Sequence, residues 1–532
     1  MRIANALACL LSSLLLVPVF VAAQDKADES VKVEVQKNEK DAAKEPPPTE
    51  KAISTNHSVQ AGGRTIAYKA TAGTLIIRDD KGKPDAQMFY VAYTAEGENS
   101  AKRPVTFLYN GGPGSSSIWL HMGSLAPVRI VTASPDATAP APYQLVPNAD
   151  SLIDKSDLVF VDAIGTGYSK GLPKIDASKD AREQAKEKEE NQNKRFWGTD
   201  QDIDAFGRFV MRYITVNNRW NSPKFLFGES YGTPRSAGLV HWLDEKGVAC
   251  NGVILLSSIL NYGTRLPGQD NDFVGNLPTF AAIARYHNKL ANKPEKLEPF
   301  LSEVREFARG EYAVALSKGE DLTAQEKEAI AVKLNKYTGL STTYLKEANL
   351  RVDPSRFRKE LLRGERLTVG RYDGRFEGID SDAAGERPET DASDTAIRGA
   401  FTAAFNDYIV RELHWTSDVQ YNVMAGAITE WDWKHKAPGQ QRPLPLPIMI
   451  GDLGSAMRSN PHLKVLSANG YFDLATPFFA TEYDLQHLDI DAKLRQNLTL
   501  TYYPSGHMVY LNLDALKQFK ADLAKFYDAA TH

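Results

Sequence analysis

Short, continuously apolar runs recur along the chain, each followed by a glycine-rich or polar loop. They are Val105-Thr106-Phe107-Leu108-Tyr109, Leu158-Val159-Phe160-Val161, Phe225-Leu226-Phe227, Val253-Ile254-Leu255-Leu256 and Lys464-Val465-Leu466. A run without polar alternation suits a strand buried on both faces of a mainly parallel sheet covered by helices. Upstream, apolar residues through Leu75-Ile76-Ile77 and Phe89-Tyr90-Val91-Ala92-Tyr93 are separated by turn signals at Gly62-Gly63 and between Asp79 and Pro84, which predicts an antiparallel hairpin or meander. The texture changes between 263 and 415. Thr323 followed by Glu326 is a capping-box sequence, Ile330, Leu334 and Tyr337 then recur at helical spacing, and Gly339 stops the helix. Leu301, Val304 and Phe307 make a second helical face. These patterns predict a helical insertion, residues 263–415, between two parts of one α/β core, residues 53–262 and 416–532. The acidic stretch from Asp373 to Asp394 reads as a solvated surface loop, since Asp380-Ser381-Asp382 lacks the spacing of a calcium-binding hand.

The N-terminal 52 residues belong to neither part. Arg2 followed by an uncharged run to Ala23 reads as a signal peptide over residues 1–23, cleaved before Gln24, and therefore as an exported protein. A retained membrane anchor is the alternative; Pro18, Ser12 and Ser13 inside the run favour cleavage. Residues 24–52 are rich in Lys, Glu, Asp and Ala, with Pro46-Pro47-Pro48 near the end, the composition of a disordered linker. Cleavage removes Cys9 and leaves Cys250 alone, so no internal disulfide is expected. Over all 532 residues, 63 Lys and Arg balance 67 Asp and Glu, a net charge of −4. That balance argues against nucleic acid as a partner and gives no reason to expect a stable membrane partner.

Candidate chemistry begins with Gly-x-Ser-x-Gly, which marks a strained strand-to-helix turn that lifts a serine hydroxyl above the sheet. The pattern occurs twice. Gly167-Tyr168-Ser169-Lys170-Gly171 runs into Leu172-Pro173, with no helical pattern. Gly228-Glu229-Ser230-Tyr231-Gly232 follows an apolar run and precedes Leu239, Val240 and Leu243 at helical spacing, so context selects Ser230 as nucleophile. A serine needs a base, commonly His oriented by a carboxylate, and in an α/β-hydrolase sheet the order is Ser, Asp, His. Asp473 follows the Val465-Leu466 run, and His507 follows the strand-like Leu498 to Tyr503, in that order. Asn110-Gly111-Gly112-Pro113-Gly114 ends an early apolar run, where this fold carries its oxyanion loop; the Gly112 and Tyr231 N–H groups are the natural donors. A phosphate-cradling loop is excluded because no Gly-Lys-Ser/Thr follows. No HExxH, paired cysteines or dinucleotide fingerprint occurs, so neither a metal nor an organic cofactor is implied. The fold class read from these features is an α/β-hydrolase: a mainly parallel central sheet with a helical cap insertion.

With these residues in place, the chain resembles the serine carboxypeptidase family (peptidase family S10). Its matching motifs are Asn110 to Ser116, Asp162 to Ser169, Gly228 to Gly232, Gly470-x-x-Asp473 and Gly506-His507-Met508, in family order from roughly 100 to 510. The resemblance implies removal of single residues from peptide or protein C-termini through an acyl-enzyme, with acidic optimum. It implies further that Asn110, Gly111 and Glu229 bind the substrate's terminal carboxylate and that the helical insertion caps the site. The chain departs from the family at Ser115, where a Cys is usual, and at Leu108, where a Trp is usual. It also lacks the family's disulfides and the second acid of the carboxylate site, which should fall near Ser124. An esterase or acyltransferase on the same scaffold, or a catalytically inactive binding module, are the other readings left open by the sequence.

Overall fold

The computed structural model describes residues 48–174, 183 and 190–531; the signal segment and most of the linker lie outside the described residues. Glu50 and Lys51 already engage the folded part, where Glu50 accepts from the Ile76 N–H at 3.0 Å and pairs with Arg212.

The central sheet holds strands β1 (Ala52–Ala61), β2 (Arg64–Arg78), β3 (Pro84–Ala95), β4 (Val105–Tyr109), β5 (Asp157–Val161), β6 (Lys224–Glu229), β7 (Gly252–Leu256), β8 (Lys464–Gly470) and β9 (Leu498–Tyr503). Their spatial order is β1-β2-β3-β5-β4-β6-β7-β8-β9, with a short strand at Lys170–Gly171 beside β3. β1 to β3 form an antiparallel meander joined antiparallel to β5. The remaining neighbours, β5-β4-β6-β7-β8-β9, are all parallel. The chain runs outward from β4 to β5, then returns to the other side of β4 with β6. This reversal is a topological switch point, and loops leaving the carboxyl ends of strands there are where ligands sit in such sheets. Strand order, parallel pairing and the turn after β6 make this an α/β-hydrolase fold.

Helices form where the sequence predicts them, after Gly232, around Leu301–Phe307 and after Thr323, and at further places besides. α1 (Thr199–Val216) and α2 (Gly232–Glu245) precede an insertion whose main helices are α3 (Asn271–Tyr286), α4 (Leu297–Phe307), α5 (Ala324–Thr338) and α6 (Arg398–Arg411). α7 (Ile450–Ser459), α8 (Phe478–Gln486) and α9 (Leu513–Thr531) follow. Alternate residues of each strand face opposite clusters, as a period of two requires. Leu108, Phe225 and Phe227 pack with Phe401 of α6 and Phe519 of α9, whereas Phe107, Leu226 and Leu255 pack with Phe206 of α1 and Leu243 of α2. Each such side chain taken from water contributes about 1.5–3 kcal/mol, which is why the runs carry no polar alternation. A third cluster joins α3, α4 and α5 to Tyr471, Phe472 and Leu474, in the loop after β8. The cap is thereby packed onto the loop that carries Asp473. The Thr323–Glu326 box forms at the start of α5, and Gly339 closes that helix at φ 71°.

Two features depart from the sequence pattern. The acidic stretch after Asp373 is not solvated throughout: the carboxylate side chains of Asp373 and Asp380 are buried in ion pairs with Arg375 and Lys359. A carboxylate can be buried where a cation is brought to it, and hydrophobic pattern does not report such pairs. Residues 412–449 contain little regular structure, and single bridges tie Asn422 to Gly167 and Met424 to Ser115. Further along, His435 sits between Asp200 and Asp452, at 2.6 and 3.0 Å. Cys250 is a buried free thiol. Among the described residues no helix is long and apolar enough to cross a membrane.

Candidate active site

Ser230 occupies the turn between β6 and α2 with φ of 60°, left-handed backbone that a non-glycine residue seldom adopts. The turn is held from both sides: the Ser230 N–H donates to the Leu256 carbonyl of β7 at 3.0 Å, and the Thr233 N–H and hydroxyl donate to the Ser230 carbonyl. Gly228 is required because a Cβ there would lie 2.0 Å from the Gly232 carbonyl oxygen. The loop after β4 approaches just as closely. A Cβ on Gly111 would lie 2.3 Å from the Tyr231 nitrogen, and Gly112 has φ of 107°. The Asn110 to Gly114 backbone is thus laid against the first amide after Ser230. The buried Arg235–Asp202 ion pair supports it, with Arg235 donating to the Asn110 carbonyl at 2.8 Å.

Asp473 and His507 come from the loops after β8 and β9. Their side chains are buried and bonded through His507 Nδ1 and Asp473 Oδ2 at 2.7 Å. Asp473 is fixed by the Ala475 and Thr476 N–H groups at 2.8 and 3.0 Å and by the Thr476 hydroxyl at 2.6 Å. The His507 backbone is anchored through its N–H to the Tyr372 carbonyl and through its carbonyl to the Ser257 hydroxyl, each at 2.6 Å. Burial pulls the imidazole pKa down, yet the Asp473 carboxylate, with a smaller push from Glu229, holds it above its ordinary value. With Nδ1–H directed at the carboxylate, Nε2 is left free to accept a proton.

Ser230 and His507 open onto one cavity of about 350 Å³, which Asn110, Gly111, Gly112, Glu229 and Thr476 also line. Glu229, the last residue of β6, is 1% exposed, and burial raises its carboxyl to about 7 against the opposing pull of His507 and a hydrogen bond from Tyr510. The Tyr510 hydroxyl donates to Glu229 Oε2 at 2.9 Å. Asn110 spends its side-chain oxygen on the Leu120 N–H at 2.9 Å, so its amide hydrogens face the Glu229 carboxyl.

Asn110, Gly111, Gly112, Glu229, Ser230, Tyr231, Asp473 and His507 are therefore gathered at one end of the sheet. Ser169 is elsewhere: buried, donating to the Asp162 carbonyl at 2.8 Å and accepting from the Phe89 N–H at 2.7 Å. Ser124 is buried with its hydroxyl bonded to the Leu120 carbonyl. The neighbouring Gly123 lies against Tyr510, whose ring would be 2.6 Å from a Cβ at 123. A tyrosine thus reaches Glu229 from beside the position where the resemblance led one to seek an acid. Motif reading missed it; its one sequence signal is that it lies three residues after His507. Arg265, Arg371 and Tyr372 also line the cavity and belong to no motif.

Residues 64–241, about a third of the chain, match the family model described as serine carboxypeptidase. That span includes Asn110, Glu229 and Ser230; Asp473 and His507 lie beyond it. No curated protein matches the sequence. Among solved structures, a peroxisomal alpha-beta-hydrolase from Saccharomyces cerevisiae is 7% identical with TM-score 0.32, covering 90% of this chain and 89% of that one. An epoxide hydrolase from Aspergillus niger is 12% identical with TM-score 0.30, covering 87% and 78%. A Rhizomucor miehei esterase is 10% identical with TM-score 0.28, covering 90% and 85%. The fold itself is defined by the strand order and parallel pairing of the sheet.

Proposed function

We propose that this chain is a serine carboxypeptidase-type hydrolase that removes residues from peptide or protein C-termini. The observation that carries the reading is the shared cavity: a serine on a left-handed turn, an imidazole bonded to a buried carboxylate, and beside them a buried acid held by an asparagine and a tyrosine.

In this mechanism Ser230 Oγ attacks the last peptide carbonyl while His507 Nε2 takes the hydroxyl proton. Asp473 holds the imidazole in the required tautomer and stabilises the imidazolium that forms. The Gly112 and Tyr231 N–H groups receive the negative charge that develops on the carbonyl oxygen. His507 then gives its proton to the leaving amine, and water, activated by the same imidazole, releases the acyl group from Ser230. The terminal carboxylate sits against Asn110, the Gly111 backbone and Glu229. Asn110 donates from its amide; Glu229 donates only as a neutral acid. Burial keeps that acid protonated to about pH 7, well above an ordinary carboxyl.

The test uses matched peptides ending in a free acid, an amide or an ester, with organophosphate labelling of Ser230. Cleavage of the acid with the amide spared supports the reading. Efficient ester turnover with no preference for the free acid moves the assignment to an esterase or acyltransferase, and failure of the label moves it to a binding module. The exported location expected from residues 1–23 is tested separately by cell fractionation.

A further inference from the structure

The wall of the cavity near Asp473 carries two exposed arginines that no motif assigns. Arg265 donates to the Ala475 carbonyl at 2.8 Å, and its guanidinium lies 5.9 Å from the Tyr262 ring centre. Arg371 is fixed to the same loop through its carbonyl, which accepts from the Leu474 N–H at 3.1 Å. Its guanidinium lies 5.2 Å from the centre of the Tyr372 ring, which itself lies 5.2 Å from the His507 ring. Both arginines line the cavity with Ser230 and His507. Among the described residues Arg371 forms no ion pair, and the nearest carboxylate to Arg265 is Asp272 at 3.9 Å. The other charges facing the cavity are committed. Asp394 pairs with Arg398, and Asp391, which accepts from the Arg371 and Ser393 N–H groups, lies 3.8 Å from Arg358. The wall therefore leaves Arg371 without a paired carboxylate and Arg265 only loosely paired, both set against the loop that carries Asp473 and apart from the Asn110–Glu229–Tyr510 cluster.

We infer that Arg265 and Arg371 form an anion-binding wall that selects peptides bearing a carboxylate side chain on a residue flanking the scissile bond. This deepens the carboxypeptidase reading and rests on it. A guanidinium presents a rigid set of donors matched to a carboxylate, and at an exposed wall that pairing stays open to screening by salt. The terminal carboxylate is still received by Asn110 and Glu229, so an acidic substrate engages both places at once.

The test compares free-acid peptides that differ only as Glu against Gln, placed at the terminal or the penultimate residue. Wild-type kcat/KM should favour Glu over Gln by about tenfold at one of the two positions, the size expected for a charged hydrogen bond. Arg371→Gln and Arg265→Gln should each bring that ratio toward one, and Arg371→Glu should invert it. Replacing Arg371 also changes the charge near His507, but the ratio at one pH cancels any effect common to both peptides. Raising the salt should shrink the preference. Calorimetry of the same peptides on full-length Ser230→Ala separates the two proposals. If no peptide is cleaved but Glu peptides still bind about tenfold tighter than Gln peptides, the carboxypeptidase reading fails and the wall stands. Equal wild-type ratios and equal affinities overturn the wall, as does a ratio that neither arginine variant alters. If Arg371→Gln instead abolishes discrimination between peptide acid and peptide amide, Arg371 binds the terminal carboxylate and the inference is wrong.

Discussion

In Gly228-Glu229-Ser230-Tyr231-Gly232 the serine has φ of 60° and opens onto a cavity, while in Gly167-Tyr168-Ser169-Lys170-Gly171 it is buried with its hydroxyl bonded at 2.8 and 2.7 Å. The glycines differ in purpose as well. At Gly228 a side chain would strike the Gly232 carbonyl across the tight turn; at Gly167 it would strike the Asp162 carboxylate, which the second motif wraps. Asp162 in turn accepts from the Ser117 N–H and the Tyr421 hydroxyl, each at 2.8 Å, and burial raises it to about 6. One pattern thus makes a left-handed turn that opens its serine onto a cavity in one place and a scaffold in the other. What separates them is the next element: a helix after Gly232 pulls the backbone into a sharp turn, whereas Lys170–Gly171 pairs as a strand with β3.

The contrast breaks most visibly in turnover. Ser230→Ala and His507→Ala should each reduce kcat by about 10⁶, and the double variant should lose little more, since the two act as a unit. Asp473→Asn should cost about 10⁴, because the imidazole remains but its tautomer is no longer held. Single-turnover kinetics on a peptide acid checks all three. If Ser169→Ala matches the Ser230→Ala loss while Ser230 proves dispensable, the comparison has been drawn the wrong way round.

Glu229 sharpens it at the next level. Under the proposed function its carboxyl would donate to the substrate carboxylate only while protonated, so KM for peptide acids should rise with pH above about 7, by at most tenfold per pH unit for one proton. Glu229→Gln donates at every pH and should flatten that profile while leaving the ester profile unchanged. Tyr510→Phe removes a bond that favours the ionised form, so the rise in KM should move to higher pH; an unmoved profile would sever Tyr510 from Glu229.

The smallest effect is one of stability. Ser169→Ala should keep kcat close to wild type but leave the buried Phe89 N–H without its acceptor, costing about 1–3 kcal/mol in urea unfolding. A drop in kcat beyond the unfolded fraction would give the second motif a part in the chemistry.

Much of this is legible in the sequence. The apolar runs at 105–109, 158–161, 225–227 and 253–256 lie in parallel strands, because a strand covered on both faces leaves a local, unbroken hydrophobic trace. Ser230 could be chosen over Ser169 for a similarly local reason, since strand, turn and helix are written in consecutive residues. The pairing of His507 with Asp473 was suggested by order alone, and the bond itself depends on two loops 34 residues apart meeting beside β8 and β9. Tyr510 against Glu229, 281 residues away, left no periodic trace, and neither did the buried pairing of Lys359 with Asp380. Nor did the convergence of Arg265 and Arg371 on the backbone of Leu474 and Ala475. Periodicity and turn chemistry act between neighbours in the chain, so the sequence by itself determined the strands, the turn that carries Ser230 and the order of the late residues. Which polar groups face one another inside the cavity is set by how the cap and the strand-end loops pack, and only the tertiary structure decided that.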